Sequence, residues 1–192
     1  MKKNIVFFDS NFEEHEQLLR EYTVNFVSLK VDARFKTKVS INGTQIGDII
    51  DDNSEEADSY RFHDVFHYTF ATMLGWSPCT RAMMKRKRKS IFTVDEFEDG
   101  ARATITEEAI SLLIFNKAKQ KDFFKNQTKI SSSLLKQIKE LTSTFEVAKR
   151  SKKEWECAIL KGYSLFNDLV KNNGGNIHFN MIEKTAIYEL SL

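Results

Sequence analysis

"TVNFVSLKVDARFKTKVSINGTQIGDII", Thr23 to Ile50, decides whether this chain holds a sheet. Val24, Phe26, Ser28 and Lys30 give partial alternation, and Phe35 to Ile41 alternates again. A period of two places successive side chains on opposite faces of a strand. The reading is an antiparallel pair, with Asn42-Gly43 as a turn into a short further strand or loop. Upstream, "FEEHEQLLREY", Phe12 to Tyr22, predicts a short helix with Asp9 and Ser10 as candidate caps. At the other end, Ile177, Phe179 and Met181, then Ile187 and Leu190, predict a closing hairpin.

Between these ends the period changes. Phe62, Phe66, Thr69, Phe70, Met73 and Leu74 recur at helical spacing, and Gly75 stops that helix. Ser77 and Pro78 start another, as N-cap and first helical residue, which is expected to run through "CTRAMMKRKRKS". A third is expected from near Thr93 to about Gln120. Two more follow, from Ser132 to Ala148 and from Lys152 to Lys171. The expected fold is mainly α (α+β): a helical bundle with a small antiparallel β element near the N- and C-terminal ends. It forms one domain over 1–192, with an N-terminal helix and hairpin in 1–56, a helical core in 57–172 and a C-terminal hairpin in 173–192. No internal repeat or linker divides the chain.

The bulk numbers exclude several classes. Hydrophobic residues at 41% and charged residues at 29% describe an ordinary globular protein, and the sixteen Phe predict aromatic packing. No apolar run approaches the roughly 18 residues that span a bilayer. The opening "MKKNIVFFDSNFEEHEQ" lacks the apolar core of a signal peptide. Cys79 and Cys157, with no CxxC, read as free thiols of a cytoplasmic protein, Cys157 in the core. A net charge of +2 gives no general attraction to nucleic acid.

Three polar features stand out. His63 and His67 lie one helical turn apart within "YRFHDVFHYTFATMLGW", with Asp64 bordering their face. Two imidazoles at that spacing either share a metal or phosphate or are core residues bonded to carbonyls. "DEFEDGARATITEEAI" places six carboxylates within fourteen residues: Asp95, Glu96, Glu98, Asp99, Glu107 and Glu108. On one continuous helix, Glu96, Gly100, Ala103 and Glu107 form a stripe with room for an ion between the acids. Clustered carboxylates repel unless a cation sits among them or they face water, and hard oxygen ligands suit Mg2+ or Mn2+. "KRKRK", Lys85 to Lys89, is either a solvated helix end or an anion-steering patch. It lacks the interleaved aromatics of a nucleic-acid surface.

"YRFHDVFHYTFATMLGWSP", "KRKRKS", "DEFEDGARATITEEAI" and "FEEHEQL" resemble the bacterial MazG-like nucleotide pyrophosphohydrolases, or the C-terminal domain found with them. The resemblance runs from about Phe12 to the "GGNIHF" tail. It implies an all-α, oligomeric, magnesium-dependent enzyme that cleaves nucleoside triphosphates to monophosphate and pyrophosphate. The family signature is Glu-Glu-x-x-Glu on one helix and Glu-x-x-Asp on the next. Here Glu107 and Glu108 match the first pair, but Ser111 stands at the third acid. Asp64 matches the final Asp, but Arg61 stands where Glu belongs, and the two motifs occur in reverse order.

Two functions follow as expectations. In a pyrophosphohydrolase, His63, Asp64 and His67 would be catalytic, and Glu96, Glu98, Asp99, Glu107 and Glu108 would hold Mg2+ or Mn2+. Lys85, Arg86 and Arg102 would bind phosphate, and Phe62, Phe66 or Trp76 would stack on the base of the nucleotide substrate. The alternative is a non-enzymatic nucleotide- or partner-binding module associated with such an enzyme. A nuclease acting through the acids and the basic run is a third option.

Overall fold

The computed structural model describes residues 7–190. The N-terminal lysine pair and the last two residues of the tail lie outside the described residues. Strand β1 (Glu21–Val31) pairs on one side with β2 (Arg34–Ile41) and on the other with β5 (Gly174–Asn180). The short strands β3 (Thr44–Gln45) and β4 (Ile50–Asp51) both pair with β2, and β6 (Thr185–Glu189) closes the other edge. Every pairing is antiparallel. Asn42 and Gly43, with φ of +49° and +78°, make the two-residue turn between β2 and β3. Positive φ at both central residues is the turn that Asn-Gly supplies at least cost.

One face of this sheet is a wall of the core. Val24 sits in register with Ile41 on one side and Ile177 on the other, and all three are buried. Helix α1 (Asp64–Leu74) lies against them. The Tyr68 ring meets Tyr22 at 6.3 Å, Phe26 at 6.3 Å and Phe179 at 6.0 Å. On its far side α1 meets α6 (Lys152–Asn172), with Phe66 against Tyr163 at 4.6 Å and Phe166 at 5.5 Å. The remaining helices are α2 (Pro78–Met83), α3 (Phe92–Phe97), α4 (Ala101–Lys119) and α5 (Ser132–Leu141).

The expectation of a helical bundle with a small β element is therefore corrected. The fold is α+β, built on a six-stranded antiparallel sheet with α1 held between sheet and helices. Val27, Leu29 and Val31 put apolar groups on the outer face of β1, which blurs the period-two signal and hides the length of the strand. The helix expected over Phe12–Tyr22 is reduced to a 3₁₀ turn at Glu14–Glu16. Its candidate cap and one of its acids are drawn into tertiary contacts: the Asp9 carboxylate accepts from Leu18 N and Arg20, and buried Glu16 accepts from Ser90 N. Helix α2 stops at Met83, short of the basic run, where Lys85 turns to φ +56°. Arg81 and Arg88 point inward and are 1% exposed. The helix expected to reach Ala148 ends at Leu141, followed by a 3₁₀ turn at Glu146–Lys149. Cys157, expected in the core, is exposed.

The acidic segment also breaks. It forms α3 and α4, separated at Glu98–Gly100. A Cβ at Gly100 would lie 2.1 Å from the Glu96 carbonyl oxygen, so the chain folds back on itself where only glycine fits. Gly100→Ala is expected to destabilise the fold by about 1–3 kcal/mol, as a lower urea midpoint at unchanged slope.

Candidate functional site

The site forms where the start of α1, the start of α2 and the second turn of α4 meet. A 3₁₀ turn over Tyr60–Phe62 leads into α1 and places His63 at its N-cap. The His63 ring stacks on Tyr60 at 4.3 Å and 6°, and its Nδ1 lies 3.0 Å from the Tyr60 carbonyl oxygen. His67 follows one turn later, 5.7 Å from His63 between ring centres. Ser77 caps α2 through a bond from Thr80 N at 3.0 Å.

Glu107 of α4 reaches into this corner and is fully buried. Its Oε1 accepts from His67 Nδ1 at 2.9 Å and from the Ser77 hydroxyl at 2.7 Å, and its Oε2 accepts from Cys79 N at 2.9 Å. A free amide in the first turn of a helix attracts a carboxylate, and here it anchors α4 to α2. Glu108 lies one residue further, with its side chain 45% exposed and Oε1 3.4 Å from His67 Nε2. The Cys79 thiol donates to the same oxygen at 3.6 Å. Asp64 Oδ1 is 3.5 Å from His63 Nε2.

The electrostatics follow from burial against these contacts. Burial opposes charge on His67, but the contact with Glu107 outweighs it and raises its pKa well above the imidazole norm. The Cys79 thiol is itself pushed up by burial and by Glu107, so it stays neutral, and carboxylates supply the counter-charge to His67. At Glu108, burial is outweighed by the adjacent His67 and then His63, which bring it down to about 2. Burial lowers the pKa of His63 against the pull of Asp64, and it raises that of Asp64 against the pull of His63.

A family model described as the MazG C-terminal domain matches residues 3–191. The chain belongs to the MazG C-terminal domain family. No curated protein and no solved structure matches it. No helix among the described residues of this MazG C-terminal domain is long and apolar enough to cross a membrane.

Of the residues singled out from the sequence, the fold brings His63, Asp64, His67, Glu107 and Glu108 together. The other acids go elsewhere. Glu98 accepts from Glu146 N at 3.1 Å and holds the start of the 3₁₀ turn there. Asp99 is buried, with Oδ2 taking Arg88 N at 2.7 Å and Oδ1 taking Arg88 Nη2 at 2.7 Å. Glu96 is exposed and shares a cleft with Arg102, Phe97 and Phe145. The five acids therefore do not surround one ion, because the break at Gly100 turns α3 away from α4. Lys85 is exposed, and Arg86 is tied down by the Glu14 and Gln17 carbonyls, each at 2.8 Å. Phe62, Phe66 and Trp76 are core residues with at most 2% exposure, so they present no ring face to a base.

Tyr60, Ser77 and Cys79 complete the MazG C-terminal site, and sequence reading assigned none of them a part in it. Ser77-Pro78 carried the usable signal: a capped helix start leaves amides that seek an anion.

Proposed function

We propose that this MazG C-terminal domain is an accessory, partner-binding module of a MazG-type nucleotide pyrophosphohydrolase and does not itself hydrolyse nucleotides. The observation behind this reading is the disposal of the acids. Mg2+ reaches proteins through one or two carboxylates plus substrate phosphates, in octahedral oxygen coordination. Here Glu107 is filled by three donors from the protein, Asp99 by Arg88, and Glu98 by a backbone amide. Among these acids Glu108 alone keeps a half-exposed carboxylate beside the histidines; Asp64 is buried against His63, and the other donors there are nitrogen and sulfur. Those residues do not fit a magnesium–triphosphate centre.

Exposed apolar side chains for a partner are at hand. Helix α3 carries Phe92 at 76% and Phe97 at 64% exposure, and Ile105 at 67% lies on the following helix. Large exposed aromatics of this kind are the side chains that interfaces enrich.

The test is pyrophosphate release from a panel of nucleoside triphosphates with Mg2+ or Mn2+, run beside gel filtration with a MazG-type pyrophosphohydrolase. The expected result is no release by the chain alone and co-elution with the enzyme, lost in a Phe92→Ser/Phe97→Ser variant. Release by the chain alone, abolished by Glu107→Gln with the fold retained, would overturn the reading.

A further inference from the structure

The hydrogen bonds on the inner ring nitrogens of the two histidines leave their outer nitrogens available. The Tyr60 carbonyl can only accept, so His63 Nδ1 carries the hydrogen of its 3.0 Å bond. Glu107 Oε1 accepts from His67 Nδ1 at 2.9 Å. Each inner nitrogen is thereby committed as a donor, which leaves Nε2 of each ring as the atom for a lone pair. His67 is 1% exposed, and its buried Nε2 has no hydrogen-bond partner among the described residues. An unsatisfied buried nitrogen is costly and calls for an explanation.

The spacing supplies one. One ring nitrogen from each histidine and a Glu108 carboxylate oxygen lie within 4.8 Å of one another. His67 Nε2 and Glu108 Oε1 are 3.4 Å apart. Two ligands bound at about 2.0–2.1 Å to a tetrahedral ion sit roughly 3.3–3.4 Å from each other.

We infer that His63, His67 and Glu108 form a three-ligand site for a borderline divalent transition-metal ion of the zinc class. Glu107 and the Tyr60 carbonyl serve as the outer partners that orient the two rings. Two imidazoles and one carboxylate match zinc and its first-row neighbours, and they do not suit Mg2+, which takes oxygen. Asp64 Oδ1 lies 3.5 Å from His63 Nε2, beside the site. A rival set, His67, Cys79 and Glu107, also falls within 4.8 Å. It is the weaker choice, because both Glu107 oxygens are already occupied by protein donors. The site stands whether or not the chain partners a hydrolase.

The experiment titrates this chelator-stripped chain with Zn2+ by calorimetry and with Co2+ by absorption. Expected are one ion per chain, Zn2+ far ahead of Mg2+, and cobalt bands of low coordination number without sulfur-to-cobalt charge transfer. His63→Ala and Glu108→Gln should each weaken Zn2+ at least about tenfold, the lower end of what outer partners alone contribute. Circular dichroism checks each fold first. Glu108 is half exposed, so its variant remains informative even if a histidine variant unfolds. No Zn2+ binding by the wild type, or unchanged affinity in folded Glu108→Gln, would overturn the site. A sulfur-to-cobalt band would overturn this ligand set in favour of Cys79.

Discussion

Asp99→Ala is expected to lower the stability of the fold by about 3–5 kcal/mol, the usual consequence of removing one partner of a buried ion pair. Both Asp99 oxygens face Arg88, through its backbone N at 2.7 Å, Nε at 3.1 Å and Nη2 at 2.7 Å. Arg81 Nε stands 3.6 Å from the same carboxylate. The substitution strands two nearly inaccessible guanidinium groups with less counter-charge, although Glu146 still reaches Arg88 at 2.8 Å and Asp9 still reaches Arg81 at 2.9 Å. Asp99→Asn should cost less, because its amide oxygen still accepts from Arg88 N. Urea denaturation of the three proteins reads the difference, and a loss below about 1 kcal/mol for Asp99→Ala would mean the pair behaves as a solvated surface bridge.

Glu107→Ala should have an effect of similar size for a different reason. It removes one acceptor and orphans three donors: His67 Nδ1, the Ser77 hydroxyl and Cys79 N. Each buried unsatisfied group costs about 1–3 kcal/mol, and water entering the space left behind offsets part of the sum. A net loss of about 3–5 kcal/mol is expected. Glu107→Gln should fall between, since its oxygen still accepts but its NH2 must face a donor. Alongside the urea curves, the His67 ring nitrogen resonances in NMR should lose the signature of a fixed Nδ1–H. If Glu107→Ala leaves those resonances unchanged, Glu107 does not orient the ring.

The sequence carried those parts of this fold that depend on neighbours along the chain. Asn42-Gly43 marks its turn, Ser77-Pro78 marks the start of α2, and the alternation at Ile177 and Phe179 marks β5. The spacing of His63 and His67 predicted a shared face, and the Glu107–Glu108 pair does meet that face. What could not be read were contacts between distant positions. Arg88 sits in a run that looks solvated, yet Asp99, eleven residues on, and Glu146, fifty-eight on, draw it inside. Glu96, Glu98 and Asp99 were expected to join Glu107 around an ion, but the stripe from Glu96 to Glu107 assumes an unbroken helix, and Gly100 interrupts it. Phe62, Phe66 and Trp76 were assigned to a base because aromatic rings serve cores and nucleotides equally well. Only packing tells the two apart.

The place of β1 in the sheet has a consequence for synthesis. Its hydrogen-bonding partners on one side follow within a few residues, but those on the other side belong to β5, which begins at Gly174. A ribosome adding about 5–20 residues per second leaves that second edge open for roughly 7–30 s after β1 is made. Until α1 is made as well, the first hairpin also carries Tyr22, Val24 and Phe26 on a face that nothing covers. An unpaired apolar edge is a template for another strand, so the nascent chain is at its most aggregation-prone before its final hairpin emerges.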